Sequence, residues 1–179
     1  MKEIREMTQS EVAAYVQDHL GSKGIVVVLS GGAAVAIHTT NKYVSHDVDL
    51  VNVFMADRKK IKQAMVAMGF REAGRSFEYP ETNILIEFPP GPLSVGGEPI
   101  EQIDELVLET GTLRVISATE CVKDRLSAFY HWGDLQCLSQ AILVTRDNPI
   151  DLDEVRRWSR KEGMIEKFRA YENELRVKQ

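Results

Sequence analysis

Cysteine is scarce in this chain, with two in 179 residues. Cys121 and Cys137 are too few for a disulfide framework and form no Cys-x-x-Cys clip, so both read as small core residues. No apolar run approaches the roughly 20 residues that a membrane span requires. The longest, Ile25 to Leu29, stops at Ser30 and two glycines. The opening Met1-Lys2-Glu3-Ile4-Arg5-Glu6 places acids where a secretion signal needs a basic and then an apolar stretch, so a cytoplasmic location with no membrane contact is expected. An excess of positive charge is missing too. Against 22 Lys+Arg stand 27 Asp+Glu, a formal charge of −5, which argues against a nonspecific grip on nucleic acid and leaves only local basic patches open. Glycine and proline number 12 and 6, and the 44% hydrophobic and 27% charged residues describe a chain that folds alone. The four histidines show no His-x-x-x-His spacing, so no transition-metal site is expected.

What is present alternates between helix and strand patterns. Thr8 to Leu20 has apolar residues at helical spacing behind a Thr8-x-x-Glu11 capping box. Ile25 to Leu29 is a β-branched run without polar alternation, which predicts a central strand covered on both faces. Ala33 to His38 follows as a short buried helix, Asp47 to Phe54 as a strand, and Ala56 to Met68 as a helix ended by Gly69. Phe77 to Tyr79 and Ile84 to Phe88 read as strands. Pro89 to Pro99 is rich in proline and glycine and reads as an irregular surface loop. Strands over 105–110 and 113–116 flank Gly111-Thr112 as a hairpin turn. Beyond Ser117 the chain turns helical. Ser117-x-x-Glu120, Asp134 and Asp151-x-x-Glu154 open successive helices, and a fourth follows. The aromatic residues Phe129, Tyr130, Trp132, Trp158 and Phe168 are assigned to the core. The expected division is an α/β core over 1–116 with a helical subdomain over 117–179 packed on it.

Asp47-Val48-Asp49 carries the chemistry. In a strand, residues i and i+2 share a face with Cα atoms about 6.6 Å apart, so both carboxylates address one site. Such a pair suits a hard cation, since Mg²⁺ is commonly held through one or two carboxylates plus substrate phosphates. Glu87 ends the otherwise apolar Ile84-Leu85-Ile86 run, where a charge calls for a partner or a metal, and is the candidate third acid. Ser30-Gly31-Gly32 lies between a strand and a helix, where backbone N–H groups and a positive helix end can approach phosphate.

These residues together resemble the DNA polymerase β-type nucleotidyltransferase superfamily, whose motif is a Gly-Gly or Gly-Ser turn, a helix, an Asp-x-Asp pair and a third acid on a later strand. Ser30-Gly31-Gly32-Ala33-Ala34-Val35-Ala36 with Ser45-His46-Asp47-Val48-Asp49-Leu50 is similar, more narrowly, to the prokaryotic abortive-infection and toxin–antitoxin nucleotidyltransferases. The resemblance implies a mixed-sheet nucleotidyltransferase core, of α/β (α+β) class, with a C-terminal helical subdomain. It implies transfer of a nucleoside monophosphate from an NTP to an RNA (tRNA) or protein hydroxyl. In that scheme Asp47, Asp49 and Glu87 bind Mg²⁺ or Mn²⁺, and Ser30, Gly31, Gly32, Ser45 and Lys123 hold the nucleotide phosphates. An antitoxin-like partner protein also follows from it. Two features depart from the family pattern: the third acid is Glu87 where many members have Asp, and the turn is Gly-Gly where Gly-Ser is commoner. A degraded site serving as a nucleotide-binding or protein-interaction module is the alternative.

Overall fold

The computed structural model describes residues 2–177. A short 3₁₀ turn at Ile4–Glu6 leads into α1 (Gln9–Gly21). Thr8 caps α1 as the sequence indicates, with its hydroxyl accepting from the Glu11 N–H and the Glu11 carboxylate accepting from the Thr8 N–H. Then come β1 (Val27–Ser30), α2 (Gly31–His38), β2 (Asp47–Asn52), α3 (Arg58–Ala67), β3 (Arg71–Ala73), β4 (Ser76–Glu78) and β5 (Leu85–Glu87). A two-residue-strand hairpin, β6 (Ser94–Val95) and β7 (Glu98–Pro99), precedes β8 (Ile103–Leu108) and β9 (Gly111–Ile116). Four helices close the chain: α4 (Ala118–Trp132), α5 (Leu135–Asp147), α6 (Leu152–Lys161) and α7 (Ile165–Arg176).

Seven strands form one mixed sheet in the order β3-β4-β5-β2-β1-β9-β8. β1 runs antiparallel to β2 and parallel to β9, while β2 and β5 are parallel. The apolar run at 27–29 is buried between these neighbours, as its lack of alternation indicates. In β2, burial alternates residue by residue: Val48, Leu50 and Asn52 point into the core, and Asp47, Asp49 and Val51 share the opposite face. α1 packs on β9 and β1 and touches α3, whereas α2 lies against β2 and is backed by α4 and α5. No helix among the described residues is long and apolar enough to cross a membrane.

Four expectations need correction. The 89–99 segment is not wholly irregular, because β6–β7 is clamped from outside: Val95 is buried, the Trp158 indole N–H donates to the Val95 carbonyl at 3.4 Å, and Glu98 pairs with Arg157 and Lys161. β3 is absent from the expected strands, since its three residues have no apolar pattern and are recruited by the Gly74-Arg75 turn into β4. The β8–β9 turn is Glu109-Thr110, two residues earlier than expected. Gly111 opens β9 with φ +143°, and a Cβ there would stand 3.1 Å from the Ala14 carbonyl oxygen, so docking of α1 sets this corner. Trp132 is 80% exposed at the end of α4, while Phe129, Tyr130, Trp158 and Phe168 are buried as expected.

Candidate active site

The site is built where β1, β2 and β5 lie side by side. Register places Ser30 opposite Asp49 on one side of β2, and Glu87 opposite Asp49 on the other. Asp47 lies two residues earlier on the same face of β2 as Asp49. Asp47 is exposed, and Asp49 and Glu87 are half-buried. Burial pushes the Asp49 carboxyl up to about 6; the Glu87, Asp124 and Asp47 charges add to the shift and Arg125 opposes it. The sequence-derived acids are thus brought together, and their mutual repulsion is visible in Asp49.

Gly31 makes this approach possible. Its φ is +67°, and a Cβ would lie 2.3 Å from Asp49 Oδ2. Gly32 is similarly close to Ser45, whose Oγ would be 2.9 Å from a Cβ. The Ser45 hydroxyl donates to the Asp47 carbonyl at 3.0 Å, and the Ser45 carbonyl accepts from the Gln9 amide at 3.0 Å. Ser45 therefore fixes the start of β2 beside the turn. Ser30 is the N-cap of α2, and its side chain makes no capping hydrogen bond. The first-turn N–H groups of α2 have no acceptor within the helix and none from the Ser30 side chain, and the positive end of the helix lies at Ser30-Gly31, which line the cleft. Gly31→Ala combines backbone strain with a collision and is expected to cost about 2–4 kcal/mol in urea unfolding. Gly24, with φ +73° and nothing within 4 Å of a Cβ, isolates the strain: Gly24→Ala loses only the smaller part.

A cleft of about 350 Å³ opens from this point, lined by Ser30, Gly31, Asp49 and Val51 on one side. Pro89, Pro90, Leu93 and Ile100 form an apolar wall, and Asp124 and Arg125 of α4 complete the boundary. Lys123 is not brought there. Its side chain is 3% exposed and lies between Glu120 and Glu154, with Nζ 3.2 and 3.1 Å from their Oε1 atoms, above the Trp158 ring. Residues two apart on a helix point about 200° apart, so when Lys123 faces α6, Arg125 faces the cleft. Asp134 caps α5, accepting from the Cys137 N–H at 3.0 Å, a bond that holds its carboxyl below the usual range.

Glu87 is already engaged: its Oε1 accepts from the Ser76 hydroxyl at 2.8 Å and from Arg75 Nε at 3.3 Å. Among the described residues, no three His, Cys, Asp or Glu side chains converge closely enough to enclose a metal ion by themselves. An all-oxygen pair such as Asp47 and Asp49 nevertheless suits Mg²⁺, which keeps waters and takes substrate phosphates to fill its shell. Burial, with the Glu87, Asp124 and Asp47 charges added, disfavours the ionised Asp49, and a bound cation would offset that cost.

No protein-family pattern matches the chain, and no curated protein is similar to it by sequence. Solved structures are. An antigenic nucleotidyltransferase-like protein from Paracoccidioides brasiliensis superposes with a TM-score of 0.58 at 14% identity, covering 76% of this chain and 75% of that one. The chain has a nucleotidyltransferase-like fold. ANT(2")-Ia, solved in complex with adenylyl-2"-tobramycin, aligns over 92% of this chain and 98% of its own, with a TM-score of 0.55 and 14% identity. A solution structure of the same antibiotic-resistance factor gives a TM-score of 0.56 at 14% identity over 93% and 94%. In this nucleotidyltransferase-like fold Asp49 of β2 and Ser30-Gly31 at the start of α2 line one side of the cleft and Asp124 and Arg125 of α4 another, while Asp47 and Glu87 lie outside its lining.

Proposed function

We propose that the protein is a Mg²⁺-dependent nucleotidyltransferase that moves a nucleoside monophosphate from an NTP to a hydroxyl acceptor. The observation that carries this reading is Asp49, pressed against Gly31, in register with Glu87 and two residues from Asp47. Asp47 and Asp49 would hold the cation, and Glu87, in register with Asp49, is the third acid of the site without closing on the ion. A Mg²⁺ ion held there would supply charge neutralisation for the phosphates and help align the α-phosphate for in-line displacement. The α2 N-terminus and the Ser30 hydroxyl receive phosphate oxygens, and Ser45 keeps Asp47 in position. The acceptor oxygen attacks the α-phosphorus and pyrophosphate leaves. With Glu87 Oε1 fixed by Ser76, its Oε2 takes the hydroxyl proton.

The acceptor is an RNA or protein hydroxyl by resemblance, and the adenylylated tobramycin bound to ANT(2")-Ia adds small polyhydroxy compounds to the trial. The test incubates the protein with each α-labelled NTP, Mg²⁺ and, in turn, cell RNA, cell protein or an aminoglycoside. Label on one acceptor class, lost with Asp47→Asn, supports the reading; no label on any acceptor overturns it. A toxin-like role within a paired system predicts growth arrest on induction, also lost with Asp47→Asn. One observation favours a second reading, a nucleotide-binding module: Glu87 is tied to Arg75 and Ser76. That reading predicts nucleotide binding without transfer.

A further inference from the structure

The reaction above brings a polyphosphate carrying several negative charges into a cleft already lined by Asp49 and Asp124. The lining includes one cation, Arg125. Its side chain is 16% exposed, and the guanidinium is steered from two sides. Asp124 Oδ2 accepts from Nη2 at 2.5 Å and from Nε at 3.1 Å. On the other edge, Nη1 reaches the Gln140 amide oxygen at 3.4 Å and Cys137 Sγ at 3.7 Å. Those last contacts are long, so the Nη1 edge is weakly engaged. A guanidinium has five N–H donors, and this geometry leaves donors to spare on the terminal nitrogens.

We propose that Arg125 is the cation that anchors the polyphosphate tail of the nucleotide, with Asp124 holding the guanidinium in place in the free protein and competing with phosphate for it. This rests on the nucleotide reading of the cleft and assigns its phosphate end. Three features support it. Arg125 stands on the cleft wall that Asp124 shares, while Ser30 and Gly31, at the uncapped N-terminus of α2, also line the cleft, so the tail is held between the two helices. A planar fork matches two phosphate oxygens at once, which a lysine cannot do. Exchange of the Asp124 carboxylate for phosphate keeps the guanidinium paired with an anion, and the released Asp124 side chain, 27% exposed, turns to solvent.

The test is calorimetric titration of inorganic tripolyphosphate and, separately, of the four nucleosides, without divalent cation, into the wild type and three variants. Arg125→Gln is expected to weaken tripolyphosphate by about tenfold or more and to leave nucleoside affinity unchanged. Arg125→Lys, the variant least prone to disturb folding, keeps the charge without the fork and falls between. Asp124→Asn removes the competitor and tightens tripolyphosphate, a gain that a merely structural Asp124–Arg125 pair would not give. Equal tripolyphosphate affinity in wild type and the Arg125 variants, or weakening by Asp124→Asn to the same degree as by Arg125→Gln, overturns the assignment. If those results come with intact label transfer, only the role of Arg125 falls. A wild type that binds no tripolyphosphate and transfers no label loses the nucleotidyltransferase reading and this assignment together.

Discussion

Replacing Asp49 with Asn is expected to yield a protein that is more stable and, under the proposed nucleotidyl transfer, without activity. In the fold the Asp49 carboxyl titrates at about 6 against an ordinary 3.8, because burial and the Glu87 charge disfavour its ionised form. The native state therefore holds this proton more tightly than the unfolded chain. Stability from this group is greatest below pH 4, declines as pH rises from about 4 to about 6, and is gone above that window. Asn never bears the charge. Its advantage over Asp should thus be small at pH 4 and reach about 1–2 kcal/mol at pH 7.5, after allowance for the group's partial exposure to solvent. Urea titrations in a chelator at the two pH values check this. Adding Mg²⁺ should raise the wild-type midpoint and leave Asp49→Asn unmoved, and label transfer should drop by about a thousandfold or more. A variant that loses activity because it fails to fold would shift the other way.

Lys123→Met should be strongly destabilising although it lies outside the cleft. The lysine is enclosed by Glu120, Glu154 and the Trp158 ring, and its removal strands the buried Glu120 carboxylate. Breaking a buried pair from one side typically costs about 3–5 kcal/mol. Burial already pushes the Glu120 carboxyl up, with the Lys123 charge working against that rise, so the stranded acid would take up a proton at higher pH. The double variant Lys123→Met with Glu120→Leu removes both charges and should recover most of the loss, which denaturant midpoints of the four proteins of the cycle will show. Transfer per folded molecule should stay near the wild-type value in the double variant, since neither residue lines the cleft.

The contrast between Lys123 and Arg125 marks where sequence reasoning ran out. Lys123-Asp124-Arg125 offers two cations on one helical turn, and both flanks of that turn are buried, with Cys121, Val122 and Leu126 fully enclosed. Helical periodicity cannot say which cation faces the sheet when apolar residues occur all round. The phase is set by α6, whose Glu154 draws Lys123 away. The acids were readable because strand geometry has only two faces: an apolar residue between two aspartates fixes both on one side, and β2 shows that alternation. The glycine turn was readable for a similar reason, as few structures other than a close backbone approach need two glycines between a buried strand and a helix. β6–β7 was not. Its residues have no strand pattern, and what orders them, Trp158, Arg157, Lys161 and Glu162, lies some sixty residues onward. The Trp132 side chain, exposed at the αL end of α4, has the spacing of a core residue but no neighbour to cover it.

The hairpin bears on how the molecule comes into being. Leu93 and Ser94 border the cleft, and the strands they lead into are fastened by α6. On a ribosome, the aspartates and the glycine bend emerge early, whereas Arg125 and the helix that latches the hairpin follow much later in synthesis. A nascent chain thus displays its acids before it owns a finished cavity, and competence arrives only once α6, about a hundred residues after the aspartates, has been made.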